Sequence, residues 1–161
     1  MKKELDWISK SGKNKRSGYY EETDDFSQLP SEKIKAVCAF CYYDNKFVIV
    51  KNGPYWEPVA GHIEEGETPE QALIREIKEE SNMKVLKYFP IGYLYIREVD
   101  IYQTRYLCFV EPYGPFEMDP DGGVTEIKLV SPADIVNVID WKDSTLLMKD
   151  KCMEIITTNL E

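Results

Sequence analysis

The stretch Thr68-Pro69-Glu70-Gln71-Ala72-Leu73-Ile74-Arg75-Glu76-Ile77-Lys78-Glu79-Glu80-Ser81-Asn82-Met83 constrains the chain more than any other. It reads as a helix with a defined start. Thr68 caps it, Pro69 presets φ at the first helical position, and Gln71 stands where the partner of a capping box belongs. At ~100° per residue, with Ala72 at zero, Glu76, Glu79 and Glu80 fall at roughly 40°, −20° and 80°, so three carboxylates share one face. Leu73, Ile77, Ile74 and Ser81 follow at roughly 100° to 200° and form the stripe expected to dock on a sheet. One edge of the acidic cluster borders that stripe.

This arrangement costs the helix something. Like charges three or four residues apart are unfavourable by ~0.2–0.5 kcal/mol per pair, and acids in the C-terminal half oppose the macrodipole. Two readings follow from the helix face alone, and it does not choose between them. One is a solvated charge run. The other is an oxygen-only ligand set of the kind Mg²⁺ or Mn²⁺ prefers when a backbone carbonyl joins it.

The surroundings are β-rich. Ile34–Tyr43 and Phe47–Val50, joined by Asp44-Asn45-Lys46, read as a hairpin. Lys84–Tyr88, Ile91–Arg97 and Ile101–Val110 read as strands, the last two paired across Glu98-Val99-Asp100, and Val124–Val130 as a further strand. Pro112–Gly123 reads as a loop. Ser131-Pro132-Ala133-Asp134 opens a helix by the same hydroxyl-and-proline logic. A closing helix from Asp143 or Ser144 to about Thr157 stacks Leu147, Lys151 and Ile155. The expected architecture is an α/β sandwich, a mixed β-sheet with helices packed on its faces. Residues 1–33 contrast with this: a basic, small-residue run (residues 9–18) and the acidic Glu21-Glu22-Thr23-Asp24-Asp25 suggest a polar extension without core periodicity, ahead of a domain over 34–161. Ser11-Gly12-Lys13 lacks the strand and first glycine of a phosphate loop.

Charge and cysteine usage narrow the function classes. Lys and Arg number 20 against 29 Asp and Glu, a formal net charge of −9, which argues against nucleic acid or an anionic membrane as partner. No apolar run approaches the ~18 residues of a membrane span, and no apolar segment follows Lys2-Lys3, so a cytoplasmic protein is expected. Cys38 and Cys41 lie three apart in a strand and point to opposite faces, so they and Cys108 and Cys152 read as buried thiols of a reducing compartment.

Spacing decides between the two readings of the acidic face. Gly61, Glu67, Arg75, Glu76, Ile77, Glu79, Glu80 and Met83 match the Nudix box, in which glycine, five residues, Glu and seven residues precede Arg-Glu-apolar-x-Glu-Glu-x-Gly-apolar. A chance match of the six polar or glycine positions in a chain of this composition has a probability on the order of 10⁻⁵. Asn82 stands at the second glycine position, which ends the helix and calls for a left-handed backbone that Asn tolerates. Upstream, Trp56-Glu57-Pro58-Val59-Ala60-Gly61 is similar to the family's entry loop, with Val59-Ala60 replacing Pro-Gly. The resemblance fits roughly residues 34–160.

The resemblance implies a metal-dependent hydrolase that cleaves the diphosphate of a nucleoside diphosphate linked to another moiety, by attack of water on phosphorus. Carried onto matching positions, Glu76, Glu79, Glu80 and the Gly61 carbonyl would hold Mg²⁺ or Mn²⁺. Arg75 would orient the glutamates by ion pairing with Glu67 or Glu79. The general base is a box glutamate, Glu79 or Glu76, or a later acid, for which Glu126 is the candidate; Glu126 reads equally as a surface strand residue. His62 reads as a phosphate contact or as an exposed ring. Tyr55, Trp56, Tyr93, Tyr95 and Tyr102 include candidates for base stacking. The alternatives are a Nudix-fold nucleotide-binding or regulatory module without hydrolysis, which would be expected to lack some box carboxylates, and a prenyl diphosphate isomerase, whose cysteine motif is not found here.

Overall fold

The computed structural model describes residues 2–9, 11–139, 141 and 143–159. Nine strands among them form one sheet: β1 (Lys2–Ile8), β2 (Lys15–Glu22), β3 (Ile34–Tyr43), β4 (Lys46–Asn52), β5 (Tyr55–Glu57), β6 (Val59–His62), β7 (Met83–Ile96), β8 (Ile101–Pro112) and β9 (Val124–Val130). Three α-helices complete the fold: α1 (Pro69–Ser81), α2 (Ile135–Val138) and α3 (Asp143–Asn159). The strand order is β1-β2-β7-β8-β3-β4-β5, with β6 on β3 and β9 on β4. The β3–β8 pair is parallel and the other pairs are antiparallel, so the sheet is mixed.

Strand β3 is buried over most of its length because both faces of the sheet are covered. On one face Val37, Ala39 and Cys41 join Val48 and Val50 of β4 under Ala72, Leu73 and Ile77 of α1. On the other, Cys38, Phe40 and Tyr42 join Phe47 and Ile49 under Met148, Cys152 and Ile156 of α3. Period two thus sends Cys38 and Cys41 to opposite faces, and all four cysteines are buried. Burial on this scale stabilises by ~1.5–3 kcal/mol per large apolar side chain, which is where the rigidity under the site comes from.

The β3–β4 turn places Asp44 and Asn45 both at positive φ (53° and 60°), the geometry that two-residue hairpins demand. The sheet is the α/β sandwich expected, but several elements differ. Within the segment expected to be a polar extension without core periodicity, β1 pairs with β2, and β2 pairs with β7. Half-buried Leu5 and Trp7 alternate with exposed Glu4 and Asp6, a period-two pattern diluted by charge. Tyr20 is only 2 % exposed and joins the α3-side core. A side chain at Gly18 would run into the Tyr95 carbonyl, so only glycine lets β2 close on β7.

Lys84–Tyr88 and Ile91–Arg97 merge into the single strand β7, whose register shifts at Val85/Lys87 and at Pro90/Gly92. Pro90 lacks the N–H a regular ladder needs, so the strand bulges there instead of ending. The helix expected from Ser131 is one short turn, α2; Ser131 Oγ hydrogen-bonds to the Asp134 carboxylate at 2.9 Å and caps nothing. On α3 the buried row is Thr145, Met148, Cys152 and Ile156, one position on from the expected Leu147, Lys151 and Ile155. Leu147 is exposed.

Candidate active site

Helix α1 starts as its sequence dictates. Gln71 N–H donates to Thr68 Oγ1 at 3.1 Å and Thr68 N–H donates to Gln71 Oε1 at 2.9 Å, closing the capping box. It ends at Asn82, φ 55° and ψ 40°, the left-handed cap predicted for that position. Between these ends the helix buries Ala72, Leu73, Glu76, Ile77, Glu80 and Ser81. Ile74, placed on the docking stripe by helical projection, is exposed. The buried arc is rotated toward the acids, and two of the three carboxylates lie under cover.

Arg75 organises them. Its Nε and Nη2 donate to the two Glu67 oxygens at 2.7 and 2.9 Å, a planar two-point pair. Its Nη1 donates to Glu76 Oε1 at 2.8 Å and to Glu79 Oε2 at 3.2 Å, and Nη2 also reaches the His62 carbonyl at 3.0 Å. One guanidinium therefore holds both Glu67 and Glu79, and Glu76 with them. The pairing keeps the Glu67 carboxyl below its ordinary value and raises the Arg75 guanidinium.

Strand β6 brings the glycine. Gly61 pairs with Val37 of β3, and a Cβ on it would fall within the Glu76 carboxylate, so no other residue leaves room for that acid. Next to it Ala60 N–H donates to Glu80 Oε1 at 3.1 Å. Burial raises Glu76 against the opposing pull of Arg75, and burial also raises Glu79. Glu80 is pushed up to about 8 by burial, and Glu76, Asp119 and Glu57 raise it further while the Ala60 N–H opposes.

Two acids that the sequence reading did not single out thus act on the box. Asp119, in the loop before β9, is 3 % exposed. Its carboxylate accepts the Asp121 N–H at 2.9 Å and the Val124 N–H at 3.1 Å, and its charge raises Glu76, Glu79 and Glu80. Buried Glu57, on β5, adds to the field on Glu80. An acid ahead of Gly122-Gly123 and one next to the box entry were the available signals, but loop acids without spacing rules carry little information.

Glu126 is not brought to this cluster. It lies opposite Lys51 of β4 and pairs with its Nζ at 3.3 Å, while its neighbour Ile127 packs into the α1-side core. Strand alternation therefore turns Glu126 to the other face. The His62 ring is exposed, and its backbone carbonyl makes the Arg75 contact. Tyr93, Tyr95 and Tyr102 pack on one another with Tyr19, and Trp56 lies under Lys51 and Lys128.

A cleft of about 680 Å³ opens beside the cluster, lined by residues that include Arg75, Lys78, Glu79, Asn82, Glu117 and Met118. The donor set is oxygen only, carboxylates packed beside the Gly61 backbone, which suits a hard divalent cation in chemistry. Among the described residues no three His, Cys, Asp or Glu side chains converge on one point. Arg75 engages oxygens of Glu76 and Glu79, and Glu80 turns to Ala60.

The NUDIX domain model matches residues 32–149. The chain therefore belongs to the Nudix hydrolase family, enzymes that cleave acid anhydrides of phosphorus. Among solved structures it is similar to the Bacillus subtilis pyrophosphohydrolase BsRppH, with TM-score 0.69 and 18% identity over 93% of this chain and 96% of that one. A C. elegans Ap4A hydrolase follows, with TM-score 0.59 and 18% identity over 76% and 99%. MutT from Aliivibrio salmonicida and Vibrio cholerae gives TM-score 0.59 and 21% identity over 76% and 98%. At these identities the likeness is one of fold. No curated protein matches the chain at a significant level.

Proposed function

We propose that this chain hydrolyses the diphosphate linkage of a small nucleotide-type substrate, with Mg²⁺ or Mn²⁺ held by Glu76, Glu79, Glu80 and the Gly61 carbonyl. The observation that carries this reading is the Arg75 network, which ties Glu76 and Glu79 of α1 to Glu67 in the turn before the helix, against a glycine that leaves space for an acid. A bound divalent cation neutralises diphosphate charge, polarises the phosphoryl oxygen and makes bound water a better nucleophile. The protein's part is positioning. Arg75 holds three carboxylates, those of Glu67, Glu76 and Glu79, and Gly61 keeps the backbone close to Glu76. Glu79 lines the cleft and takes up the proton of the attacking water. Lys78, also on the cleft, meets substrate charge beside Glu79 and Glu117. A chain of net charge −9 with a carboxylate-rich site repels an anionic diphosphate unless cations intervene, which makes the metal a condition for binding as well as for chemistry.

No described helix is long and apolar enough to cross a membrane. The four buried cysteines support a reducing, cytoplasmic location. The test is turnover of nucleoside triphosphates, nucleotide sugars, ADP-ribose and dinucleoside polyphosphates, scored by product. Activity should vanish with chelator and return with Mg²⁺ or Mn²⁺. Full turnover in metal-free buffer, or none with any diphosphate, overturns the reading.

A further inference from the structure

Where the box has its second glycine this chain has Asn82, and its side chain does something a glycine does not. Asn82 Nδ2 donates to the Gly114 carbonyl at 3.2 Å and to the Pro115 carbonyl at 3.1 Å. Its own carbonyl accepts the Tyr113 N–H at 3.0 Å. One residue at the end of α1 therefore grips three consecutive residues of the loop that follows β8. Lys78, one turn earlier, lies over the Tyr113 ring at 5.3 Å. Beyond the grip, the loop supplies Glu117 and Met118 to the cleft wall and Asp119 to the field on the box carboxylates. Phe116 packs against the α1-side core, and Asp119 fixes the far end through Asp121 and Val124.

From this we infer that Asn82 is a positioning residue for substrate binding: its amide fastens the 113–118 loop to the end of the metal-site helix and so sets the width of the cleft. The inference deepens the hydrolase reading and rests on it for the identity of the cleft's ligand. The backbone conformation and the amide make separate demands, which allows them to be separated. Glycine accepts φ 55° without strain and supplies no donor. Aspartate tolerates the same backbone but would aim a carboxylate at two carbonyl oxygens.

The test compares wild type, Asn82→Gly and Asn82→Asp in three measurements: KM and kcat on the best diphosphate substrate with Mg²⁺, affinity for α,β-methylene-ADP with Mg²⁺, and amide exchange across 113–118. Asn82→Gly should raise KM and weaken the α,β-methylene-ADP complex by about fivefold or more, the lower end of the scale for two lost hydrogen bonds, with kcat within about twofold. Exchange at Tyr113 should quicken while Val124, held by Asp119, stays protected. Asn82→Asp should go further in the same direction. Unchanged KM, affinity and exchange overturn the inference. So does a parallel fall in kcat, affinity and melting temperature for Asn82→Gly, which marks a structural tie between helix and loop and nothing more. If wild type turns over no diphosphate, the hydrolase reading falls, while exchange and affinity still decide the role of Asn82.

Discussion

Helices α1 and α3 cover opposite faces of one sheet, and they do it with different materials. The row that α3 buries is Thr145, Met148, Cys152 and Ile156, a row without a carboxylate in which the Thr145 hydroxyl donates to the Ile139 carbonyl at 3.3 Å. Helix α1 buries Glu76 and Glu80 beside Ala72, Leu73 and Ile77. Buried carboxylates cost free energy unless something compensates them, and here the compensation is one arginine and one backbone N–H. The α3 face supplies stability, while the α1 face uses part of that stability to keep acids crowded and poised.

The largest expected effect comes from exchanging the two kinds of residue. Glu79→Gln keeps size and should lower kcat by about 10²–10⁴-fold, the range for a lost acid-base group, with little change in urea stability. Met148→Ala should cost ~2–5 kcal/mol and leave the turnover of the folded fraction intact. Leu73→Ala, on the packing side of α1, should behave like Met148→Ala. If Glu79→Gln unfolds the protein, or Met148→Ala abolishes turnover at full foldedness, the division between the faces is wrong.

The N-terminal hairpin sharpens the comparison, because it belongs to the α3 side. We propose residues 34–161 as the hydrolase domain, with the hairpin as a stabilising addition. Deleting residues 1–22 removes Tyr20 from the α3-side core and bares the edge of β7. The loss should be near the ~3–5 kcal/mol of a large aromatic truncation, with cooperative unfolding and metal-dependent turnover retained. Loss of cooperative unfolding would show that the sheet cannot close without β2.

A smaller effect follows from Glu80 and has a defined sign. Its folded value of about 8 lies above the ordinary 4.5, so between those values the folded state binds more protons than the unfolded one. Its contribution to metal-free stability is fully present below about pH 4.5 and is lost as pH rises through about 8, by a few kcal/mol at most. Glu80→Gln stays neutral and should flatten that part of the profile. A wild-type profile rising from pH 5 to 8, unchanged by Glu80→Gln, would mean that the acid is not crowded.

What was legible in the sequence has a physical pattern. Thr68, Pro69, Gln71 and the spacing from Gly61 to Met83 act locally, so the helix, its cap and the Arg75 contacts could be read from neighbours a few residues apart. The hairpin β1–β2 and the buried row of α3 depend on distant partners: Gly18 matters because of Tyr95, and Tyr20 because of Gly92 and α3. Asp119 stayed hidden for the same reason. Its role arises from loop closure onto a helix nearly forty residues earlier, and no periodicity announces it.

The smallest effect is the most discriminating for the site's boundary. Glu126 and Asp119 are both downstream acids, and the fold treats them differently. Glu126 is 59% exposed in its side chain and pairs with Lys51 at 3.3 Å; such surface pairs are worth ~0–1 kcal/mol. Glu126→Gln should therefore change stability by no more than about 0.5 kcal/mol and leave kcat and its pH profile as they are. Asp119→Asn removes charge from the group that raises Glu76, Glu79 and Glu80, so it should lower the apparent pKa seen in the kcat profile. If the pH profile moves with Glu126 and not with Asp119, then β9 reaches the carboxylates and the site extends to the sheet edge that faces α3.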